Sequence, residues 1–482
     1  MSTAEPSFLA ELASHFPPER VITSLPERLV YECDGHTLAR GLPEIVVLPE
    51  TTAEVQECVR LCARHGVPFV ARGAGTGLSG GAVANGGVML GFSRMNRILE
   101  LDAENRVAVV QPGVVNAQLG RAAAAHGLRY APDPSSQGAC TLGGNVAENS
   151  GGPHTLRYGV TSNHVLGLEV VLPDGTLLRT GSRAGSGLGL DLTSLFVGSE
   201  GTFGIVTEIT VRLIAAPPAV RTLLAVYDSL DAACHSVTAI IAAGIVPAAL
   251  ELIDRAGIQA VEAHLRVGYP REAEAVLLIE VEGTPQAVID DAARIESLCL
   301  ARGAVRVELA ADEATRARLW KGRKQALGAV GKIAKAYYTH DGVVPRSRVP
   351  EAIRRIGAIC ERLGLRVANV CHAGDGNLHP LLLFDPDDEG ERHRVHQAGV
   401  EILTMCVEFG GALTGEHGVG LEKRALLPLV FSADDLEQMD AVRRVFDPEG
   451  VCNPGKALVG ESSEGDAADL VMARKVRSGG WV

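Results

Sequence analysis

The pattern of apolar and polar positions divides the chain into two parts that are organised differently. Residues 42–55 and 66–72 (LPEIVVLPETTAEV and GVPFVAR) read as a strand, a helix start and a second strand, a βαβ-like opening. From Gly73 to about Leu213 the chain is glycine-rich, with short β runs at Val107–Val110, Leu168–Leu172 and Ile205–Leu213. Pro217-Pro218 then punctuates a boundary. Beyond it come the strand TLLAVY, a helix around Asp231–Ala243 and the strands AALELID and AVLLIEVEG. The helix QAVIDDAARIESLCLARG and the strand AVRVELA follow. Strands and amphipathic helices in that order predict a two-layer α/β domain. A helical stretch over Asp312–Lys335 precedes the strand AYYTHDGVVP, and a further helix leads to a last hairpin. The tail beginning ESSEGDAADL is polar and acidic and is expected to be mobile.

That last hairpin, CHAGDGNLHP at Cys371–Pro380, carries the first candidate chemistry. Apolar runs at Leu365–Val370 and Leu378–Phe384 bound Gly-Asp-Gly-Asn, and a central Asp-Gly is a strong signal for a two-residue turn. With Asp375 and Gly376 as the loop, His372 faces His379 on one side of the sheet. Opposed residues carry Cβ atoms roughly 4.5–5.5 Å apart, close enough for two imidazoles to grip one ion. A cross-strand polar pair without an ion fits the same pattern, and the hairpin alone leaves both readings open.

Composition narrows the partners. A chain of 482 residues is too long for one ordinary core, and 21% charged residues describe an ordered globular protein. The formal net charge is −13 with no long Lys/Arg cluster, which argues against nucleic acid and against a polybasic approach to anionic membranes. The N-terminus lacks a basic region followed by a long apolar core, and no apolar run reaches the length of a bilayer span. Ten cysteines are scattered with no CxxC and no iron–sulfur run, so they read as small buried hydrophobes in a reducing cytoplasm.

Three glycine-rich segments follow β runs: ARGAGTGLSGGAVANGG, Ser136–Gly159 and Gly198–Gly204. Gly75-Thr76-Gly77-Leu78-Ser79-Gly80 is formally GxGxxG, but a strand, VMLGF, follows instead of the helix that a Rossmann site requires. Three such loops in one domain favour a large phosphate-bearing cofactor held by backbone N–H groups.

The ordered set RGAGTGLSGG, PDPSSQGACTLGGNVAENSGG, RYG and GSEGTFGIVTE resembles the FAD domain of the vanillyl-alcohol-oxidase, or p-cresol methylhydroxylase (PCMH), type flavoproteins. LWKGRKQALGAVGKIAKAYYTHDGVVPR, HAGDGNLHP, TGEHGVGLEK and FDPEGVCNPGK resemble the FAD-linked oxidase C-terminal family. Within it the motifs are most similar to the flavin-subunit group of bacterial glycolate oxidases, with D-lactate and D-2-hydroxyglutarate dehydrogenases as neighbours.

The resemblance implies an α+β fold: a PCMH-type two-subdomain FAD-binding domain plus an α/β cap, or substrate, domain with an antiparallel sheet. The expected division is a lead-in over 1–38, the FAD domain over 39–217 and the substrate and metal domain over 218–425. A C-terminal helix with the NPGK segment (426–458) returns to the FAD domain, and 459–482 form the mobile tail. The implied contacts of non-covalent FAD are Gly73, Gly75, Thr76, Gly77, Ser79, Pro132, Thr141, Gly143, Gly144, Asn145, Glu200, Gly201, Ile205, Asn453 and Lys456. His154 is the one nearby candidate for a covalent flavin bond, and no motif compels it. By the same resemblance, Glu416 joins His372 and His379 as a metal ligand, and two imidazoles with one carboxylate suit zinc, iron or manganese. His417 becomes the catalytic base and Arg323 the clamp on a substrate carboxylate, with Tyr338 and Asn377 lining the substrate.

The implied reaction is oxidation of a 2-hydroxy acid to the 2-oxo acid with hydride transfer to flavin N5. Relatives that take 2-hydroxyglutarate place Thr and Lys after the matching Arg, whereas Leu327 and Thr339 stand here. A second carboxylate would lack a cation, so the expectation is glycolate or D-lactate. With no cluster motif in the chain, electrons are expected to pass to a second flavin subunit and an iron–sulfur subunit, or to quinone. The expected place is the cytoplasm, peripheral to the inner membrane through those partners. The rival readings are a D-2-hydroxyglutarate dehydrogenase, a silent flavin subunit and a non-redox flavin transferase of the same fold.

Overall fold

A computed structural model describes residues 5–36, 38–184, 189–458 and 464–477. The described residues group into two compact units. One lies within Met1–Gly151, Val160–Ala216 and Glu416–Ser463; the other lies within Gly152–Gly159, Pro217–Gly415 and Glu464–Val482.

The first unit opens with the expected βαβ element: strand Ile45–Val47, helix Thr52–His65 and strand Phe69–Arg72. Thr51 caps the helix by accepting the Glu54 N–H, and Val55, Cys58, Val59 and Cys62 recur at the i, i+3, i+4, i+7 spacing that buries one face. Strand Val88–Gly91 lies between the other two, parallel to both. A second, antiparallel sheet orders the strands Ile98–Asp102, Val107–Val110, Ile205–Arg212, Val165–Val171 and Leu177–Gly181. These two sheets are the two subdomains that the PCMH-type resemblance implies.

The second unit is built on seven strands: Ala304–Leu309, Ala219–Tyr227, Ala275–Gly283, Ala249–Asp254, Arg366–Cys371, Pro380–Phe384 and Ala336–Thr339, in that spatial order. Every pairing is antiparallel. The expected two layers become three. Leu223, Leu250, Leu252, Leu277 and Ile279 pack on one face in a core shared with helices Leu230–Ala242, Pro285–Ala301, Val349–Arg362 and Glu389–Glu408. Leu224, Ile253, Val276 and Leu278 pack on the other with helices Arg255–His264 and Glu313–Lys324. Covering both faces removes the polar positions that a half-solvated antiparallel sheet would show.

Three boundaries differ from the sequence reading. The chain rejoins the first unit at Glu416 rather than near 426, because the backbone N–H groups of Val419 and Gly420 already donate to Glu200 and that of Leu421 to Ser79 O. Gly152–Gly159 belongs to the second unit, tied there by Arg157 to the Glu282 carbonyl and by Tyr158 to the Glu282 carboxylate. Much of the expected mobile tail is a helix, Glu464–Arg477. Its Ala473 and Val476 are buried, and Asp469 lies 2.6 Å from His396 on helix Glu389–Glu408. Residues 459–463 and 478–482 lie outside the described residues.

Candidate active site

The histidine hairpin forms, but not in the expected register. Asn369 pairs with Pro380 and His372 with Asn377, so Ala373–Gly376 make a four-residue turn. Of the turn residues only Gly376 has a positive φ (+84°), whereas either primed turn over Asp375-Gly376 needs a positive φ at Asp375. A Cβ at residue 376 would stand 2.1 Å from the Val344 carbonyl oxygen, so glycine is required there. The shift moves the pairing by two residues, which preserves the side-chain faces. His372 and His379 are therefore diagonal neighbours on one face, with ring centroids 5.0 Å apart and planes nearly perpendicular.

Each ring is held through Nδ1. That of His379 lies 3.3 Å from the His340 carbonyl, and that of His372 lies 2.9 Å from both oxygens of Glu251. With Nδ1–H as donor, both Nε2 atoms keep lone pairs, which is what a metal requires of an imidazole. The donor chemistry fits a divalent ion.

Glu251 is the residue that sequence reasoning missed. Leu252 pairs with Cys371, so the next step in register sets Glu251 opposite His372. Arg323 completes the cluster: its guanidinium pairs with Glu251 at 2.5 Å, both side chains are 1% exposed, and Arg323 Nε has no hydrogen-bond partner among the described residues. The sequence signal was present, since Glu251 interrupts the apolar stretch Ala248–Ile253 and is costly to bury there without a partner.

The other expected substrate residues separate. Asn377 is buried across from His372 on the histidine face, its Oδ1 without a partner among the described residues. Tyr338 pairs with Leu382 and joins the opposite core, edge-on to His340, so strand alternation turns it away from the histidines. Thr339 faces the histidine side, and Leu327 packs into the apolar cluster there. Glu416 and His417 are the first residues of the chain's return to the first unit, one peptide bond beyond Gly415.

His154 occupies a different cluster. Its Nε2 lies 3.3 Å from Glu280, and its ring stacks on Trp320. Glu280 also accepts hydrogen bonds from Thr222, Arg316 and the Trp320 indole. Burial alone would raise this carboxyl, but the bonds from His154 and Arg316 outweigh it and hold the pKa at about 2. Donors already face its oxygens, so this group is an anchor rather than a cation site. Arg316, Trp320 and Arg323 form one stripe of helix Glu313–Lys324.

In the first unit the glycine segments converge. Gly73 abuts Thr141, which caps helix Leu142–Glu148; the sequence had read this stretch as loop. Asn145 is buried on that helix, and Gly143 packs against Pro112. Asn116 donates to the Pro132 carbonyl. Ser79 is fully buried with its hydroxyl unpartnered among the described residues, as is Arg72 Nη1 beside Gly75. A buried guanidinium nitrogen and a buried hydroxyl beside glycine backbone fit an anionic phosphate group. Gly75 has a positive φ, while Thr76 and Gly77 continue the stretch, which holds no helix.

Lys456 and Asn453 brace this loop. The ammonium donates to Val83 O and Asn453 Oδ1, and Asn453 donates to the carbonyls of Gly81 and Glu200. Burial depresses Lys456 to about 8. Glu200 and Gly201 have positive φ just before strand Ile205–Arg212. Burial, then the charges of Glu200 and Asp34, pushes the Glu148 carboxyl well above the usual range.

A phosphate-binding glycine unit joined to a histidine- and arginine-bearing unit is the plan of an FAD-linked oxidase. Residues 43–181 match the FAD binding domain family and residues 216–457 the C-terminal domain of FAD linked oxidases. The chain belongs to this family. Among relatives, it is 47% identical over 453 residues to the glycolate oxidase subunit GlcD of Escherichia coli (strain K12), covering 94% of this chain and 91% of that one. It is 35% identical over 427 residues to a D-lactate dehydrogenase of Anaerostipes hadrus, covering 86% and 90%. The solved structure of p-cresol methylhydroxylase with substrate bound matches with a TM-score of 0.80 at 16% identity, covering 95% and 97%, and shows the shared fold.

Proposed function

We propose that this chain oxidises a small 2-hydroxy acid, glycolate or D-lactate, to the 2-oxo acid as the flavin-bearing member of a larger assembly. The observation that carries the reading is the buried Arg323–Glu251–His372 cluster beside His379. It occurs in a chain whose relatives are named for glycolate and D-lactate.

When bound, FAD accepts the α-hydrogen with its electron pair, and a divalent ion draws electron density from the α-hydroxyl. His372, His379 and Glu416 hold that ion. Support comes from the Nδ1 contacts of both histidines, which put the ring lone pairs on Nε2, and from Gly415, the residue before Glu416, whose N–H is tied to Asp341 within the histidines' own unit. Arg323 receives the substrate carboxylate through its unpartnered side. His417 takes the hydroxyl proton as general base. FAD is held non-covalently, since His154 is engaged by Glu280 in the second unit. Leu327 and Thr339 offer no cation for a second carboxylate. Electrons leave through an iron–sulfur partner or quinone: the GlcD relatives are named as subunits of a glycolate oxidase, and the chain carries no cluster motif. Among the described residues no helix is long and apolar enough to cross a membrane.

Anaerobic bleaching of the flavin by glycolate, D-lactate, L-lactate and D-2-hydroxyglutarate tests this, with bound metal assayed in parallel. Bleaching by glycolate or D-lactate supports the proposal. Preference for D-2-hydroxyglutarate overturns the reading of Leu327 and Thr339, and no bleaching by any of them favours a silent subunit.

A further inference from the structure

We infer that Glu251 is a positioning residue with two duties: it fixes His372 in the tautomer that frees Nε2 for a divalent ion, and it holds Arg323 in place for the substrate carboxylate. The inference rests on the metal reading above and assigns a role to a side chain outside the proposed ligand set.

The geometry begins with the strand. Leu250 and Leu252 point into one core, so Glu251 points to the other face, in line with Ala249 and Ile253. Both its oxygens lie 2.9 Å from His372 Nδ1. A carboxylate oxygen accepts only, so Nδ1 carries the proton and Nε2 the lone pair. Arg323 Nη2 also approaches Nδ1, at 3.2 Å, but a guanidinium donates only. Were Arg323 the partner of Nδ1, the imidazole proton would sit on Nε2 and block ligation. Glu251 resolves that competition by accepting from both donors, with Arg323 at 2.5 Å.

The two histidines are supported unequally. His379 leans on a neutral carbonyl, whereas His372 leans on a carboxylate, which orients the ring and raises ligand basicity. The same carboxylate also fixes the guanidinium. One buried side chain therefore ties ion binding to substrate binding, and a change there should affect both together.

The test compares wild type, Glu251→Gln, Glu251→Asp and Glu280→Gln, each purified with FAD. Zinc content and affinity are read by chelator competition, flavin by absorbance, and KM and kcat with glycolate and D-lactate. Glu280→Gln is the control: it removes a buried, arginine-paired carboxylate from the same sheet without touching His372. Zinc affinity is expected to fall about 10–100-fold in Glu251→Gln, the usual cost of losing such a partner, with KM raised and flavin retained. Glu280→Gln should keep wild-type zinc affinity. If Glu251→Gln does not fold, Glu251→Asp reports instead, because its shorter carboxylate keeps a charge for Arg323 but withdraws from the ring. Zinc affinity within twofold of wild type in the folded variant overturns the inference. A wild type that binds no zinc sinks the metal reading first, and the inference with it.

Discussion

Replacing Glu280 by Gln probes the anchor of the second unit directly. The carboxylate is fully buried and accepts from Thr222, Arg316, Trp320 and His154. Burial raises its pKa, but the bonds and charges of His154 and Arg316 outweigh that and bring it from 4.5 to about 2. At about 1.4 kcal/mol per unit, the ionised form contributes roughly 3 kcal/mol to folding at neutral pH. The folded pKa is depressed, so this stability is present above the unfolded value and is lost as pH falls from about 4.5 towards 2. The variant should therefore be about 3 kcal/mol less stable than wild type at pH 7, and the gap should shrink to roughly half at pH 3. For a body of this size the melting temperature should drop by roughly 6–12 °C. Trp320, one of two tryptophans, donates to Glu280, so its fluorescence during denaturation follows this unit rather than the whole chain. Substituting Trp481 by Phe removes the other signal. A loss under about 1 kcal/mol at pH 7, or a gap that stays constant down to pH 3, would refute the argument.

Three other outcomes are expected. His372→Ala should abolish turnover and release the metal yet leave the flavin absorbance, because the glycine loops belong to the other unit; joint loss of FAD would count against that division. Arg323→Lys should lower kcat/KM by about 10²-fold or more, since one ammonium cannot serve both Glu251 and a substrate carboxylate, and steady-state kinetics would show it. Gly418→Ala forces a side chain onto a φ of +83° with its Cβ 2.2 Å from Glu148 Oε2, a strain on the order of 1–3 kcal/mol. FAD retention through gel filtration should fall; unchanged retention would show that the Glu148 carboxyl yields freely.

Much was legible in the chain because the signals are local. The βαβ opening, the strands on either side of Pro217 and the absence of a helix after Gly73 follow from runs of side chains whose period is set by their own backbone. The ordered motifs placed the chain among flavoproteins, and the family match bears that out. His372 and His379 could be paired from Asp-Gly alone, and their shared face survived the wrong register because side chains alternate with period two.

What the sequence could not decide depends on which distant segments meet. Glu251 and His372 stand 121 residues apart, and only the pairing of two strands makes one the partner of the other. Tyr338 and Thr339 are neighbours in sequence, yet the sheet sends them to opposite faces. His154 follows a glycine segment of the flavin domain but is claimed by Glu280, and the helix Glu464–Arg477 within the polar tail is held through Asp469 and the buried Ala473 and Val476. Local periodicity sets which residues form an element and which face each side chain takes. Partnership between elements is set by burial of whole faces against one another, and only the tertiary structure displays it.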